Sequence, residues 1–120
     1  SPQKGKISME LINIRLSNGK EELISYYKVP CIINDDKISF IIDDIKTSIS
    51  NKKFIRENKE YLFMIDIPNK LSTYKLKEKN CTFAIDVEKL VYKNDTNIIE
   101  LVYKISSNEE ELRMIIEREI

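Results

Sequence analysis

Apolar and polar residues alternate along most of this sequence, and that alternation constrains the fold more than any other feature. Successive side chains of an extended chain point to opposite faces, so a period of two indicates strands with one buried and one solvated face. A helix would instead space its apolar residues three and four positions apart. The clearest series are Ile38, Phe40 and Ile42; Tyr61, Phe63, Ile65 and Ile67; Cys81, Phe83, Ile85 and Val87; and Ile99, Leu101, Tyr103 and Ile105.

Short polar segments separate these series and indicate tight turns. Asn18-Gly19 is the strongest, because both positions tolerate the positive φ of a type I′ hairpin turn. No helix is indicated before residue 107. The sequence therefore predicts one all-β domain over residues 6–120, an antiparallel up-and-down meander of about eight to ten strands, closed as a barrel or folded as a sandwich. Residues 1–5 are predicted to be a disordered tail or a cloning scar.

Two of the longer strands change phase partway along. The apolar series Ile7, Met9 and Leu11 gives way to a series beginning at Ile12, and the series ending at Val87 resumes at Leu90. A β-bulge at each switch would move the buried face by one residue and bend the strand. Bent long strands favour the barrel over the sandwich.

The final segment, SSNEEELRMIIEREI, fits either a helix or a strand. Ser107 and Glu110 form the pattern of a helix capping box, whereas Leu112, Met114 and Ile116 alternate as in a strand. We prefer the strand, because it would form a hairpin with the preceding ELVYKI segment and cover an otherwise open sheet edge.

The second half of the chain resembles the YwiB-like bacterial family, a domain of unknown function. The resemblance rests on the Ser72-Thr73-Tyr74 element, followed by a strand like Thr82–Leu90, an aliphatic strand like Ile98–Ile105 and a last strand of alternating aliphatic residues. The first half is similar more loosely, through EELISYYKV and DKISFII. The resemblance implies a calycin-like (lipocalin-like) barrel and implies no activity. The chain departs from the family at Asn80-Cys81, where a glycine is common.

Composition excludes several classes of function. Positive and negative residues number 20 each, so the basic field of a nucleic-acid-binding protein is missing. The chain has no histidine, which is the commonest general base and transition-metal ligand. Cys31 and Cys81 lack zinc or redox spacing, and we expect both to be reduced. Without a long apolar run or a signal-peptide pattern, no membrane span is predicted and a cytoplasmic location is expected.

Several polar residues are candidates for a ligand site. In a small barrel the interior is filled by side chains or holds one small ligand, and buried polar tips need partners. We predict a ligand site formed by Tyr27, Arg56, Thr73, Tyr74 and Tyr103. The carboxylates at 35–36 and 43–44 lack the spacing of an EF-hand, so they are interpreted as solvated turns, and no metal or cofactor is predicted.

These observations favour a non-enzymatic barrel that holds a small apolar or amphipathic molecule in its mouth. The main alternative is a pleckstrin-homology-like module, in which a C-terminal helix caps seven strands and a phospholipid or peptide binds outside. A third alternative is an enzyme that uses carboxylates, tyrosine, lysine or cysteine, but the spacing of these residues selects no reaction. The sequence leaves the oligomeric state open.

Overall fold

The computed structural model describes residues 7–19, 24–106 and 108–119, and ten antiparallel strands contain most of them. The predicted tail at residues 1–5 lies outside the described residues. In chain order the strands are β1 (Ile7–Asn18), β2 (Ile24–Asn34), β3 (Lys37–Ile42), β4 (Ile45–Ile49), β5 (Lys53–Glu57), β6 (Tyr61–Asp66), β7 (Leu71–Leu76), β8 (Cys81–Asn94), β9 (Ile98–Ile105) and β10 (Leu112–Arg118).

The strands form a closed barrel in which each strand pairs with its neighbours in the chain, and β10 pairs with β1. The closing register places Ile116 opposite Ile14 and Met114 opposite Leu16. The prediction of a closed antiparallel meander with a C-terminal strand is confirmed, and the sandwich alternative is wrong. The helical interpretation of the last segment is also wrong, because Leu112–Arg118 form β10, which pairs with both β1 and β9. The pleckstrin-homology-like alternative fails with it, since that fold needs the helix.

Asparagine and aspartate form most of the tight turns whose backbone is left-handed. Asp43 and Asp44 join β3 to β4 with φ of 52° and 63°, and a type I′ turn requires positive φ at both central positions. Asp35 and Asn80 also have positive φ, at 57° and 47°. The acidic pairs therefore lie in hairpin turns, as interpreted from the sequence.

The phase switch in β8 is a β-bulge, as predicted. Val87 lies opposite Ile105, but Lys89 lies opposite Lys104, so β8 contains one extra residue. Beyond the bulge the inward positions change from odd to even numbers, which places Leu90 and Tyr92 against the core. The bulge thus directs the apolar residues on both sides of it, Val87 and Leu90, towards the core.

The phase switch in β1 has a different origin, and the predicted shift of its buried face is wrong. The register shift between Ile12 and Ile14 comes from an extra residue in β2, around Lys28, whose φ is +53°. The Lys28 N–H donates to Asn13 Oδ1 at 2.9 Å. Even-numbered residues of β1 therefore face inward on both sides of the bulge, and the apolar series at 7, 9 and 11 lies on the outer surface.

Aliphatic and aromatic side chains from all strands except β7 and β8 form the fully buried centre of the barrel. Phe54, Ile65 and Leu101 have no exposed surface, and partly buried residues of β7 and β8 pack against this cluster. The described part of the chain contains no helix with the length and apolarity that a membrane span requires.

We predict that Ile116→Ala lowers the free energy of unfolding by about 2–5 kcal/mol, because it leaves a cavity where β10 closes the barrel. The matched control is Ile98→Ala in the neighbouring strand. Ile98 is 44% exposed, so this change should cost less than about 1 kcal/mol. Urea unfolding of both variants measures the difference. Equal costs for the two variants would contradict the prediction.

Candidate ligand site at one mouth of the barrel

A cavity of about 210 Å³ lies at the end of the barrel where β1 ends and β10 begins. Its wall is formed by β5, β6, β7, β9, β10 and the segment that precedes β10. The lining residues are Arg56, Tyr61, Phe63, Tyr74, Tyr103, Ile105, Asn108, Glu110 and Leu112. The cavity therefore has an aromatic wall with a few polar groups.

Strand register determines why these side chains converge. Arg56 lies directly opposite Phe63, and Phe63 lies directly opposite Tyr74. Residues that face one another across antiparallel strands point to the same side of the sheet. Because Phe63 is buried in the barrel, Arg56 and Tyr74 also point inward. On the other side of the cavity, Tyr103 lies directly opposite Leu112 in the β9–β10 pair.

The aromatic rings form two contacting groups. Tyr61 and Tyr74 are stacked, with ring centroids 5.4 Å apart and an interplanar angle of 12°. Tyr103 contacts both Phe63 and Phe54, at centroid distances of 5.7 and 5.5 Å. These ring contacts give the cavity an apolar, aromatic wall.

The Nε atom of Arg56 is buried and has no hydrogen-bond partner. It is the only such side-chain nitrogen or oxygen among the described residues. Arg56 also forms no ion pair with a carboxylate of the described residues. An arginine side chain does not lose its proton in proteins, so the charge stays. A buried donor without a partner lowers the stability of a fold by about 1–3 kcal/mol, so Arg56 Nε destabilises this one.

The Tyr103 hydroxyl is held in its protonated form. Burial raises the pKa of Tyr103 to about 12, and the nearby positive charge of Arg56 opposes that rise. At neutral pH the cavity therefore contains a cation and a neutral phenol, which can both donate hydrogen bonds to one acceptor.

The rim of the cavity is polar and acidic. The Glu110 N–H donates to Asn108 Oδ1 at 3.1 Å, and the Gly19 N–H donates to the Glu111 carbonyl at 2.8 Å. Gly19 has φ of +71°, and a Cβ there would lie 3.2 Å from Glu110 Cδ. The close approach of these two segments keeps Glu110 at the opening.

Three of the five predicted ligand residues come together here: Arg56, Tyr74 and Tyr103. Thr73 does not line the cavity, because it lies opposite Met64 and Ala84 and so faces away from the side of Tyr74. Tyr27 is 75% exposed, next to the β2 bulge. The role of all five in ligand binding stays a prediction.

Sequence reasoning missed the other lining residues. Tyr61 and Phe63 share the inward phase of β6, which the alternation of that segment already indicates. Asn108 and Glu110 precede β10, and the capping-box pattern that includes Glu110 indicates a helix and not a ligand site. Among the described residues, no group of three or more cysteine or acidic side chains could hold a metal ion.

Comparison with known proteins concerns the fold. The sequence matches no family model and no curated protein. Among solved structures, the chain is similar to the crystal structure of the ywiB protein from Bacillus subtilis, with a TM-score of 0.52 and 9% sequence identity. The match covers 98% of this chain and 96% of that chain. The predicted resemblance is thus confirmed at the level of the fold, and the likeness to calycins and lipocalins stays a prediction.

We predict that the free energy of unfolding falls as the pH rises from 10 to 12, because of Tyr103. The unfolded chain releases the tyrosine proton near pH 10 and the folded chain near 12, so the unfolded state binds fewer protons in this interval. The contribution is fully present below pH 10 and is lost as the pH rises to 12, by at most about 2–3 kcal/mol.

Urea unfolding at stepped pH measures this loss in the wild type and in Tyr103→Phe, which should lose less stability over the same interval. Tyr27→Phe removes an exposed hydroxyl outside the cavity and should retain the wild-type pH dependence. Identical pH dependence in all three proteins would contradict the prediction.

Proposed function

We propose that this barrel binds a small amphipathic molecule in its mouth, with an anionic or strongly accepting group placed on Arg56. The observation that supports the proposal is the inward-facing guanidinium, whose Nε has no partner in the described protein. Stability alone gives no reason to keep such a group, because an apolar residue would fill the position at lower cost. An acceptor on the ligand would form a charge-assisted hydrogen bond there.

The other lining residues of the cavity indicate the chemical character of the part of the ligand that does not contact Arg56. The stacked Tyr61 and Tyr74 rings and the partly buried Leu112 offer an apolar surface suited to a planar or aliphatic body. The volume of about 210 Å³ is below the ~300–1,000 Å³ of sites for drug-sized ligands. We therefore expect a ligand about the size of a single substituted ring. Binding in the mouth is also the arrangement expected of a calycin-like barrel.

We propose binding without catalysis. The chain has no histidine, and burial raises the pKa of the Cys31 thiol, so this sulfur is a poor nucleophile at neutral pH. The pKa of about 12 similarly makes Tyr103 a hydrogen-bond donor and a poor base. A cytoplasmic location belongs to the same proposal, and the two free cysteines support it.

Isothermal titration calorimetry with phenylacetate and phenylacetamide tests the proposal, because these probes share a shape and differ in charge. We expect the carboxylate to bind at least about tenfold more tightly, since a hydrogen bond between charged groups contributes about 1.5–3 kcal/mol. Arg56→Gln should abolish this preference. Arg15→Gln, which changes an exposed arginine of β1 outside the cavity, should retain it. Equal binding of both probes by the wild type would contradict the proposal.

A stability measurement distinguishes a binding role of Arg56 from a structural one. Arg56→Met removes a cation and an unsatisfied donor while keeping much of the side-chain volume. We expect the free energy of unfolding to rise by about 1 kcal/mol while the carboxylate preference disappears. A lower stability would show instead that Arg56 supports the fold.

A further inference from the structure

The outer face of the barrel has an exposed apolar patch near the end opposite the cavity. It spans the first half of β1 and the adjoining parts of β2 and β3, where Met9 lies opposite Ile32 and Leu11 lies opposite Pro30. The five aliphatic and methionine side chains are 43–77% exposed, and Pro30 is exposed beside them. We define the apolar patch as Ile7, Met9, Leu11, Pro30, Ile32 and Ile41.

The patch differs from the rest of the outer surface. Elsewhere, neighbouring strands carry ion pairs such as Arg113–Glu100 and Lys104–Glu88. Within the patch, two open grooves of about 420 and 480 Å³ flank Met9 and Pro30. The exposed apolar area is on the order of 500 Å², near the upper end for the largest patch of a monomer. The largest apolar patch of a monomer is often functional.

Charged residues border the patch: Lys46 and Glu119 lie on opposite flanks, and Lys28 lines the groove beside Pro30. Lys46 of β4 lies opposite Ile41 and shares its outward face. The Glu119 N–H donates to the Leu11 carbonyl at 3.1 Å, which places Glu119 beside Leu11 on the other side. A row across the sheet therefore runs from Glu119, just after β10, through the paired Leu11 and Pro30 to the paired Ile41 and Lys46. Pro30 and Ile41 each lie one residue beyond the Cys31–Phe40 pair. The row has an acidic end, an apolar middle and a basic end.

We propose that a second copy of this chain covers the patch in a two-fold dimer whose axis runs parallel to the strands. This rotation reverses the row, so Lys46 of one copy meets Glu119 of the second copy at both edges while the apolar middles pack together. An axis across the strands would instead place Lys46 against Lys46. The charges of Lys46 and Glu119 are thus complementary for an axis parallel to the strands and repel one another for an axis across them.

The area agrees with this occupant. A standard interface buries about 800 Å² per partner, and about two-thirds of a homodimer interface is apolar, which matches an apolar patch on the order of 500 Å². The cavity at the other end of the barrel stays open in such a dimer. The dimer is therefore independent of the proposed ligand site.

Sedimentation equilibrium tests the proposal. At about 50 μM the wild type should have twice the monomer mass of 14.2 kDa, as expected for an interface of standard size. Met9→Lys places a charge in the middle of the patch and should raise the dissociation constant about hundredfold or more. Leu71→Lys is the matched control, because Leu71 is 64% exposed on β7, outside the patch, and its variant should stay dimeric.

Reversal of the edge charges tests the axis. At low salt, Lys46→Glu and Glu119→Lys should each raise the dissociation constant about tenfold, and the double variant should restore the wild-type value. Circular dichroism and thermal midpoints confirm that each variant is folded. A monomeric wild type, a dimer that survives Met9→Lys, or a double variant without restored dimerisation would overturn the proposal.

Discussion

The pairing of the first strand with the last holds this architecture together. Nine of the ten strand pairs join neighbours in the chain, and only β1 with β10 joins residues about a hundred positions apart, as at Ile12 and Arg118. Without that pair, β1 and β10 would both present unpaired backbone edges. Burial of Ile14 and Ile116 at the seam provides the apolar contact that favours closure, and the closed wall is what encloses the cavity.

Each end of the barrel carries a half-buried arginine, and the two differ in their partners. At the end away from the cavity, Arg118 donates to both carboxylate oxygens of Glu10, at 3.0 and 2.7 Å, so its charge is paired within the protein. At the mouth, Arg56 Nε has no partner among the described residues. The first arrangement stabilises the wall, whereas the second costs stability and leaves a cation directed at the cavity. Such a local conflict with the fold is typical of functional positions.

Much of the fold could be predicted from the sequence because alternation and turn residues act locally. The β8 bulge could be predicted because the extra residue lies in the same strand whose apolar phase switches. The apolar series at Ile7, Met9 and Leu11 could not be placed, since alternation separates two faces without saying which is inside. The extra residue near Lys28 of β2 keeps the opposite face of β1 buried, and that register is set between strands.

The candidate site also depends partly on local sequence signals and partly on register between strands. Arg56, Tyr74 and Tyr103 could be selected as inward polar tips, but Thr73 adjoins Tyr74 and must face the other way in a strand. Cross-strand register, which the sequence does not state, brings Tyr61 and Phe63 to the same cavity.

Closure of the meander brings the start of the first strand and the end of the last strand to one end of the barrel. Ile7 and Glu119 lie at the same end of the barrel, where the first and last strands are neighbours. Every strand, including the first and the last, therefore pairs with a neighbouring strand on both sides. A chain whose ends were joined there and reopened at another hairpin would keep every strand pair, so this fold is suited to circular permutation.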